Sequence, residues 1–271
     1  MIQQEKIDAH ANKVTKLALS FKEQISREVD VAVSDVSLYI VKKLSTVRGI
    51  VVQSPENARK ILAIEDVLKM SLYSSNYYPT ILAFVESFVE QVEDFEEFYN
   101  EASRSFPSFS GETFSRLVLT EEDKEVLSNQ GAAAVAAFEG SFDQTTNELR
   151  QLLARVLGES NIGLLVKDVS GIIRRMSNVE PMAKDQLMVF FRTIGSLVYR
   201  RIESTGRVLK YTYVGPSDKK VRGFCSAMLH SGREYTMEEI AHLDNDQVVG
   251  VFDNCGGYGC RHWWAMSRVI Q

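Results

Sequence analysis

All three cysteines of this 271-residue chain, and three of its four histidines, lie between Cys225 and the last residue. The densest stretch is DNCGGYGCRHWW, Asp253 to Trp264, which holds Cys255, Cys260, His262 and both tryptophans. Bare thiols are reactive and exposed tryptophan is costly, so this composition suits a cross-link, a ligand set or a tight small core better than a solvated tail. Thiolate and imidazole are the natural donors of a tetrahedral structural zinc, and Cys225, Cys255, Cys260 and His262 supply four. The C-x4-C-x-H spacing departs, however, from the C-x2-C knuckle of most structural zinc sites. A disulfide from Cys225 to Cys260 or to Cys255 would close a loop of about 30 residues and stabilise the module by about 3 kcal/mol. Reduced cysteines packed as small hydrophobes are the remaining structural outcome.

Catalysis needs more than these residue types. A cysteine nucleophile requires a histidine base beside it and a carboxylate or amide that orients the base. Cys225, with His230 or His262 and Asp218 or Asp253, supplies the types. Nothing in their spacing specifies the arrangement, so the sequence assigns no catalytic residue. The glycines of CGGYG suit positive φ in a tight loop. They lack the strand–glycine–helix context and following lysine of a phosphate loop.

The elements that must position this cluster are mostly helices. From Ile7, the apolar residues Val14, Leu17, Phe21 and Ile25 recur at helical spacing. Val31 to Leu44 is more continuously apolar and would suit helix or strand. Ser54-Pro55-Glu56 predicts a capped helix running to about Lys69, and SSNYYP a break. Phe84, Phe88, Val92, Phe95 and Tyr99 mark one face of an amphipathic helix with an acidic outer surface. SFPSFSGE reads as a loop, and Thr120 as the cap of a helix running to about Leu157, with close packing or an interruption at GAAAVAAFEG. Two further helices are expected over Ile162–Met176 and from Pro181 to about Glu203. After Thr205-Gly206, VLKYTYV alternates like a strand. Short strands, one short helix (Met237 to His242) and irregular loops complete the chain. No internal repeat is read. The fold class is therefore mainly α, with an elongated helical N-terminal region and a small C-terminal α+β module. Three parts are expected: 1–148, helical and available for docking; 149–205, helical; and 206–271, the Cys/His module.

At 45% hydrophobic and 25% charged, the chain has the composition of a globular protein, and its net charge of −5 disfavours general nucleic-acid affinity. Charge is uneven: acids dominate 80–150 and basic residues dominate 165–222. The polar start MIQQEKIDAHANK and the shortness of every apolar run predict neither a secretion signal nor a membrane span. An odd cysteine count suits synthesis in a reducing cytosol.

Taken in order, five segments carry a resemblance: LRQLLARVLGESNIGLLVKDVSGIIRRM, AKDQLMVFFRTIGSLVYRR, YVGPSDKKVRGFC, GREYTMEEIAHL and GGYGCRHWW. Together they resemble the minor head, or head-morphogenesis, protein family of tailed bacteriophages, typified by the F protein of phage Mu, over about residues 149–265. The matching positions are Arg192 and Thr193, then Gly215, Pro216, Asp218, Arg222 and Cys225, then Glu239, and finally Gly256, Gly257, Tyr258, Cys260, Arg261 and His262. Cys255 is an addition to that pattern, and Gly259 stands where members often carry Asn. The resemblance implies a low-copy virion structural protein, made in the host cytoplasm and acting without catalysis in head assembly or head–tail connection at the portal vertex. It implies portal, capsid or neck proteins as partners, and packaged DNA as a contact of the basic 165–222 region. It also makes Cys225, Cys260 and His262 a structural unit. The alternatives are a cysteine-dependent enzyme or effector and a zinc-stapled nucleic-acid-binding module.

Overall fold

A computed structural model describes residues 4–104, 118–156, 161–204 and 206–270. The SFPSFSGE loop, Leu157 and Thr205 lie outside the described residues. The chain is mainly α, with a long helical N-terminal region and a small C-terminal α+β module. No described helix is long and apolar enough to cross a membrane.

The first helix, α1 (Gln4–Lys43), runs unbroken through the ambiguous Val31–Leu44 segment. The reason is its stripe of buried positions. Ile7, Ala18, Val29 and Ile40 are buried at steps of eleven, as are His10, Phe21 and Ala32, and Val14, Ile25 and Val36. Eleven residues in three turns is 3.67 per turn, which holds one stripe on one side of a nearly straight helix and is the repeat associated with right-handed winding. The same period orders Tyr77, Phe88 and Tyr99, and Leu127, Phe138 and Leu149. Burial thus repeats where no repeat of sequence was evident.

After α1 comes a two-stranded hairpin, β1 (Thr46–Val47) and β2 (Ile50–Val51). Arg48 and Gly49 take φ of 50° and 78° at its tip, the two positive values of a type I′ turn. The helix expected from Ser54 to Lys69 is two helices, α2 (Pro55–Leu62) and α3 (Ile64–Ser74), divided at Ala63. Ser54 caps the first by accepting from the Asn57 backbone N–H at 3.1 Å. The single amphipathic helix expected to carry Phe84 to Tyr99 is likewise two, α4 (Tyr77–Glu90) and α5 (Val92–Arg104), divided at Gln91. The following helix, α6 (Glu121–Val156), passes through GAAAVAAFEG without interruption. Thr120 and Asp123 cap it reciprocally. Helices α7 (Ile162–Arg174) and α8 (Glu180–Glu203) follow, with a 3-10 turn at Arg175–Ser177 between them.

The C-terminal module is built on strand β3 (Leu209–Val214), which lies between β4 (Glu234–Tyr235) and β5 (Trp263–Val269), antiparallel to both. Tyr213 pairs with Trp264 and Val214 with Trp263, and the register shifts between Lys210 and Tyr211. Three short helices accompany the sheet: α9 (Gly223–Ser231), α10 (Met237–Ala241) and α11 (Val251–Asn254). Only α10 was expected. GFCSAMLHS carries no clean apolar stripe, and four residues are too few to show one.

The chain separates into two compact units that cut across the three parts expected from sequence character. One comprises 18–85 and 133–180. In its core Phe21 stacks on Phe84 at 4.0 Å, with Phe138 edge-on to Phe21 at 5.1 Å. Buried Asn57 accepts from the Ser45 N–H and donates to the carbonyls of Ser45 and Val52, tying the hairpin to α2. The other unit comprises 1–17, 86–132 and 181–271 and contains the whole Cys/His module. Phe191 is the hub of its aromatic core, 4.0 Å from His10, 4.6 Å from Tyr99 and 5.6 Å from Trp263. Tyr99 lies flush against Gly195, where a Cβ would come within 2.4 Å of the ring.

Candidate functional site

Strand alternation puts Tyr211 and Tyr213 on the buried face of β3. The turn that follows, Gly215-Pro216, brings its backbone against the first residues before β5. A Cβ on Gly215 would lie 2.3 Å from the His262 ring, so only glycine admits the imidazole here. Helix α9 then presents Cys225 from its first turn. The CGGYG loop, which folds through positive φ at Gly257 (84°) and Gly259 (65°), returns Cys260 to the same point. Gly256 has no room for a side chain either: a Cβ would be 2.2 Å from the Cys225 sulfur.

The result is a buried cluster in which the donor atoms of Cys225, Cys260 and His262 all lie within 4.8 Å of one another. The two sulfurs are 3.6 Å apart. Nδ1 of His262 is 3.5 Å from the Cys260 sulfur. The Tyr213 hydroxyl is 3.3 Å from the Cys225 sulfur and 3.6 Å from that of Cys260. The Gly256 N–H points at the Cys260 sulfur at 3.3 Å. His262 stacks on Tyr213 with 9° between the ring planes. Its Nε2 lies 3.0 Å from the Pro216 carbonyl, which can only accept, so Nε2 carries the proton and Nδ1 turns its lone pair toward Cys260.

Arg192 of α8 closes the cluster from beneath. Its guanidinium is buried and donates to three backbone carbonyls: His262 through Nε at 3.0 Å, Asp253 through Nη1 at 3.2 Å, and Cys260 through Nη2. The Cys225 thiol donates to Cys260 and holds the Cys260 thiol well below its ordinary range, with the Arg192 charge adding to the effect against desolvation. The same hydrogen bond, with burial, pushes the Cys225 thiol up. Two thiols this close titrate as a pair. Desolvation likewise raises Tyr213 and Cys255.

The four expected ligands therefore divide. Cys225, Cys260 and His262 meet; Cys255 does not join their donor set. It caps α11 with φ of 50°, its sulfur turned toward the Phe252 carbonyl at 3.7 Å, while its own carbonyl accepts from Asn245. Neither expected disulfide is formed, and all three cysteines are free thiols. The sulfurs of Cys225 and Cys260 stand well beyond the about 2.05 Å of a bonded pair.

The catalytic set is likewise not assembled. His230 is exposed and bonded to the Ser226 carbonyl on its own helix. Asp218 faces outward in a two-pronged pair with Arg261 at 2.7 and 2.8 Å, which holds its carboxyl well below the usual range. Asp253 accepts from Ser196 at 2.7 Å. The nitrogen of His262 that an orienting carboxylate would hold is bonded instead to Pro216. Ser196 and Asp253 do line a surface cavity of about 270 Å³ with Gln130, Thr193 and Arg200, but no histidine lines it.

Two members of the site have no role at the cluster in the sequence expectations. Tyr213 lies in the expected strand and opens the YVGPSDKKVRGFC segment, and its place two positions after Tyr211 is the signal for a buried face. The burial of Arg192 was also missed, although a single cation inside LMVFFRTIGSLV sits where an amphipathic helix should be apolar. No protein-family model, curated protein or solved structure significantly matches the chain.

Proposed function

We propose that this chain is a structural component of a tailed-phage virion, a minor head protein of the portal or neck vertex that acts by protein–protein contact and without catalysis. One observation carries the reading: the positions that resemble the minor head family bond to one another. Arg192 holds the carbonyls of Cys260 and His262, Pro216 holds His262, and Asp218 holds Arg261. Arg222 donates to the Gly256 carbonyl, and Cys225 meets Cys260. Glu239 completes a capping box with Thr236 and pairs with Lys210 and Arg233. Residues that serve a reaction converge on an open cleft; these converge on a closed core, as expected of positions that keep a docking module in shape.

Two further observations weigh against the other readings. The Cys260–His262 pair is enclosed, and its histidine lacks an orienting carboxylate. In the basic stretch, Arg174 pairs with Asp30, Arg175 with Glu148 and Lys210 with Glu239, while Arg192 is buried. Arg192 is thus out of reach of a phosphate, and the other three meet carboxylates of the chain itself.

Protein mass spectrometry of purified particles and of head-assembly intermediates, made by a phage that encodes the chain, tests the proposal. The expected result is the chain present at a few copies per particle, associated with portal-containing fractions. Its absence from both the finished heads and the intermediates overturns the reading.

A further inference from the structure

The geometry points to a tetrahedral structural zinc site formed by Cys225, Cys260 and Nδ1 of His262, with the Tyr213 hydroxyl at the fourth corner. Zinc binds thiolate sulfur at about 2.3 Å and imidazole nitrogen at about 2.0–2.1 Å, so a tetrahedral ion holds two sulfurs about 3.8 Å apart and a sulfur and a nitrogen about 3.6 Å apart. The observed separations are 3.6 Å and 3.5 Å. An oxygen ligand at about 2.0–2.2 Å would sit about 3.5–3.7 Å from each sulfur; the Tyr213 hydroxyl lies 3.3 and 3.6 Å away. A disulfide would instead require the sulfurs to close to about 2.05 Å.

The surroundings have the form that metal ligands need. A ligating imidazole donates its other N–H to a fixed acceptor, which selects the tautomer, and the Pro216 carbonyl does this for His262. A ligating thiolate accepts backbone N–H bonds, and Gly256 supplies one to Cys260. Both glycines that flank the cluster are there because a single Cβ would invade it. Two thiolates neutralise a divalent ion, so the loaded site can be buried without a net charge. The unusual C-x4-C-x-H spacing poses no obstacle, because the CGGYG loop supplies only one thiolate and the second comes from α9. The sequence-level candidate Cys255 is replaced by Tyr213. A three-strand sheet with three short helices is small enough for a metal staple to suit it.

The test uses the full chain, expressed in a reducing cytosol and purified without chelator. Elemental analysis and native mass spectrometry should find about one zinc per chain, released by a strong chelator. Replacement by cobalt(II) should give the intense visible bands of a tetrahedral ion and a thiolate-to-metal charge-transfer band. Cys255→Ser should keep the metal and the cobalt spectrum. Cys260→Ser and His262→Gln should lose the metal at unchanged helix content, and Tyr213→Phe should bind but with displaced cobalt bands. A wild-type chain that is folded and free of zinc, with three titratable thiols, overturns the site. So does a mass lower by two hydrogens that reductant restores, which would establish a disulfide. Loss of metal in Cys255→Ser, or a cobalt spectrum unmoved in Tyr213→Phe, overturns the assignment of the fourth corner. None of these results depends on whether the chain is found in a virion.

Discussion

The imidazole of His262 is seated against Gly215 so closely that a Cβ there would lie 2.3 Å from the ring, while the next carbonyl, that of Pro216, accepts its Nε2 proton at 3.0 Å. One dipeptide thus provides both the space and the anchor for the imidazole. Gly215→Ala should force the ring out of the cluster. Overpacking of a well-packed site costs about 1–3 kcal/mol, so the urea midpoint should fall accordingly. A variant with an unchanged midpoint would show that the turn can shift to admit the methyl group. Gly206→Ala is an unsuitable control because its φ is positive, whereas Gly140, with open space around it, should tolerate alanine.

Arg192 gives a sharper test because it is a buried cation whose observed hydrogen bonds all go to backbone carbonyls. Arg192→Met should keep much of the packing yet leave the carbonyls of Asp253, Cys260 and His262 without that donor. Leaving a buried carbonyl without its donor costs about 1–3 kcal/mol. Arg192→Lys should rescue little, since one ammonium cannot reproduce a planar fork that reaches three acceptors. Thermal unfolding checks both, and a lysine variant as stable as wild type would refute the geometric part of the argument.

How much of this could be read in the sequence follows from which signals are local. The strand at VLKYTYV, the caps at Ser54 and Thr120 and the aromatic face of α4 and α5 are set by neighbouring residues, and each appears where expected. The break at Ala63 has no glycine or proline to announce it, and the tip Arg48-Gly49 shows only one of the two residues that favour a type I′ turn. At the site, clustering of residue types was enough to find Cys225, Cys260 and His262. It could not separate Cys255 from them, because which face of the CGGYG loop a thiol takes depends on the positive φ of Cys255, Gly257 and Gly259. Tyr213 and Arg192 reach the cluster from β3 and α8; both lie in segments that carry the resemblance, but a search for cysteine and histidine alone passes over them.

His10 links stability to pH. Its ring is enclosed by Phe95, Phe98, Phe191 and Trp263, and its Nε2 has no hydrogen-bond partner among the described residues. Burial, with the nearby Lys13 charge, lowers its pKa to about 3. Unfolding exposes it to its ordinary value of about 6.5, so between these values the unfolded chain binds a proton that the folded chain refuses. Stability is then full above about pH 6.5 and falls as pH drops toward 3, by at most about 1.4 kcal/mol per unit from this group. His10→Leu should remove this component. In urea titrations at pH 8 and pH 5, the variant should gain on wild type at the lower pH. An equal difference at both would show that His10 titrates normally.

The thiols offer a test that separates a structural cluster from a reactive one. Cys225, Cys255 and Cys260 are 2%, 0% and 4% exposed, so a maleimide or a disulfide reagent can reach none of them without an opening of the module. In the native chain all three should label slowly and together, at a rate that rises with subdenaturing urea, and at once in full denaturant. A catalytic cysteine behaves differently: it is partly exposed and ionised, and it labels rapidly and alone. Fast, selective labelling of Cys260 in the folded chain would therefore favour a cysteine-dependent enzyme over the structural reading. Slow and collective labelling would mean that Cys225 and Cys260 sit in a closed core rather than at a nucleophile awaiting substrate.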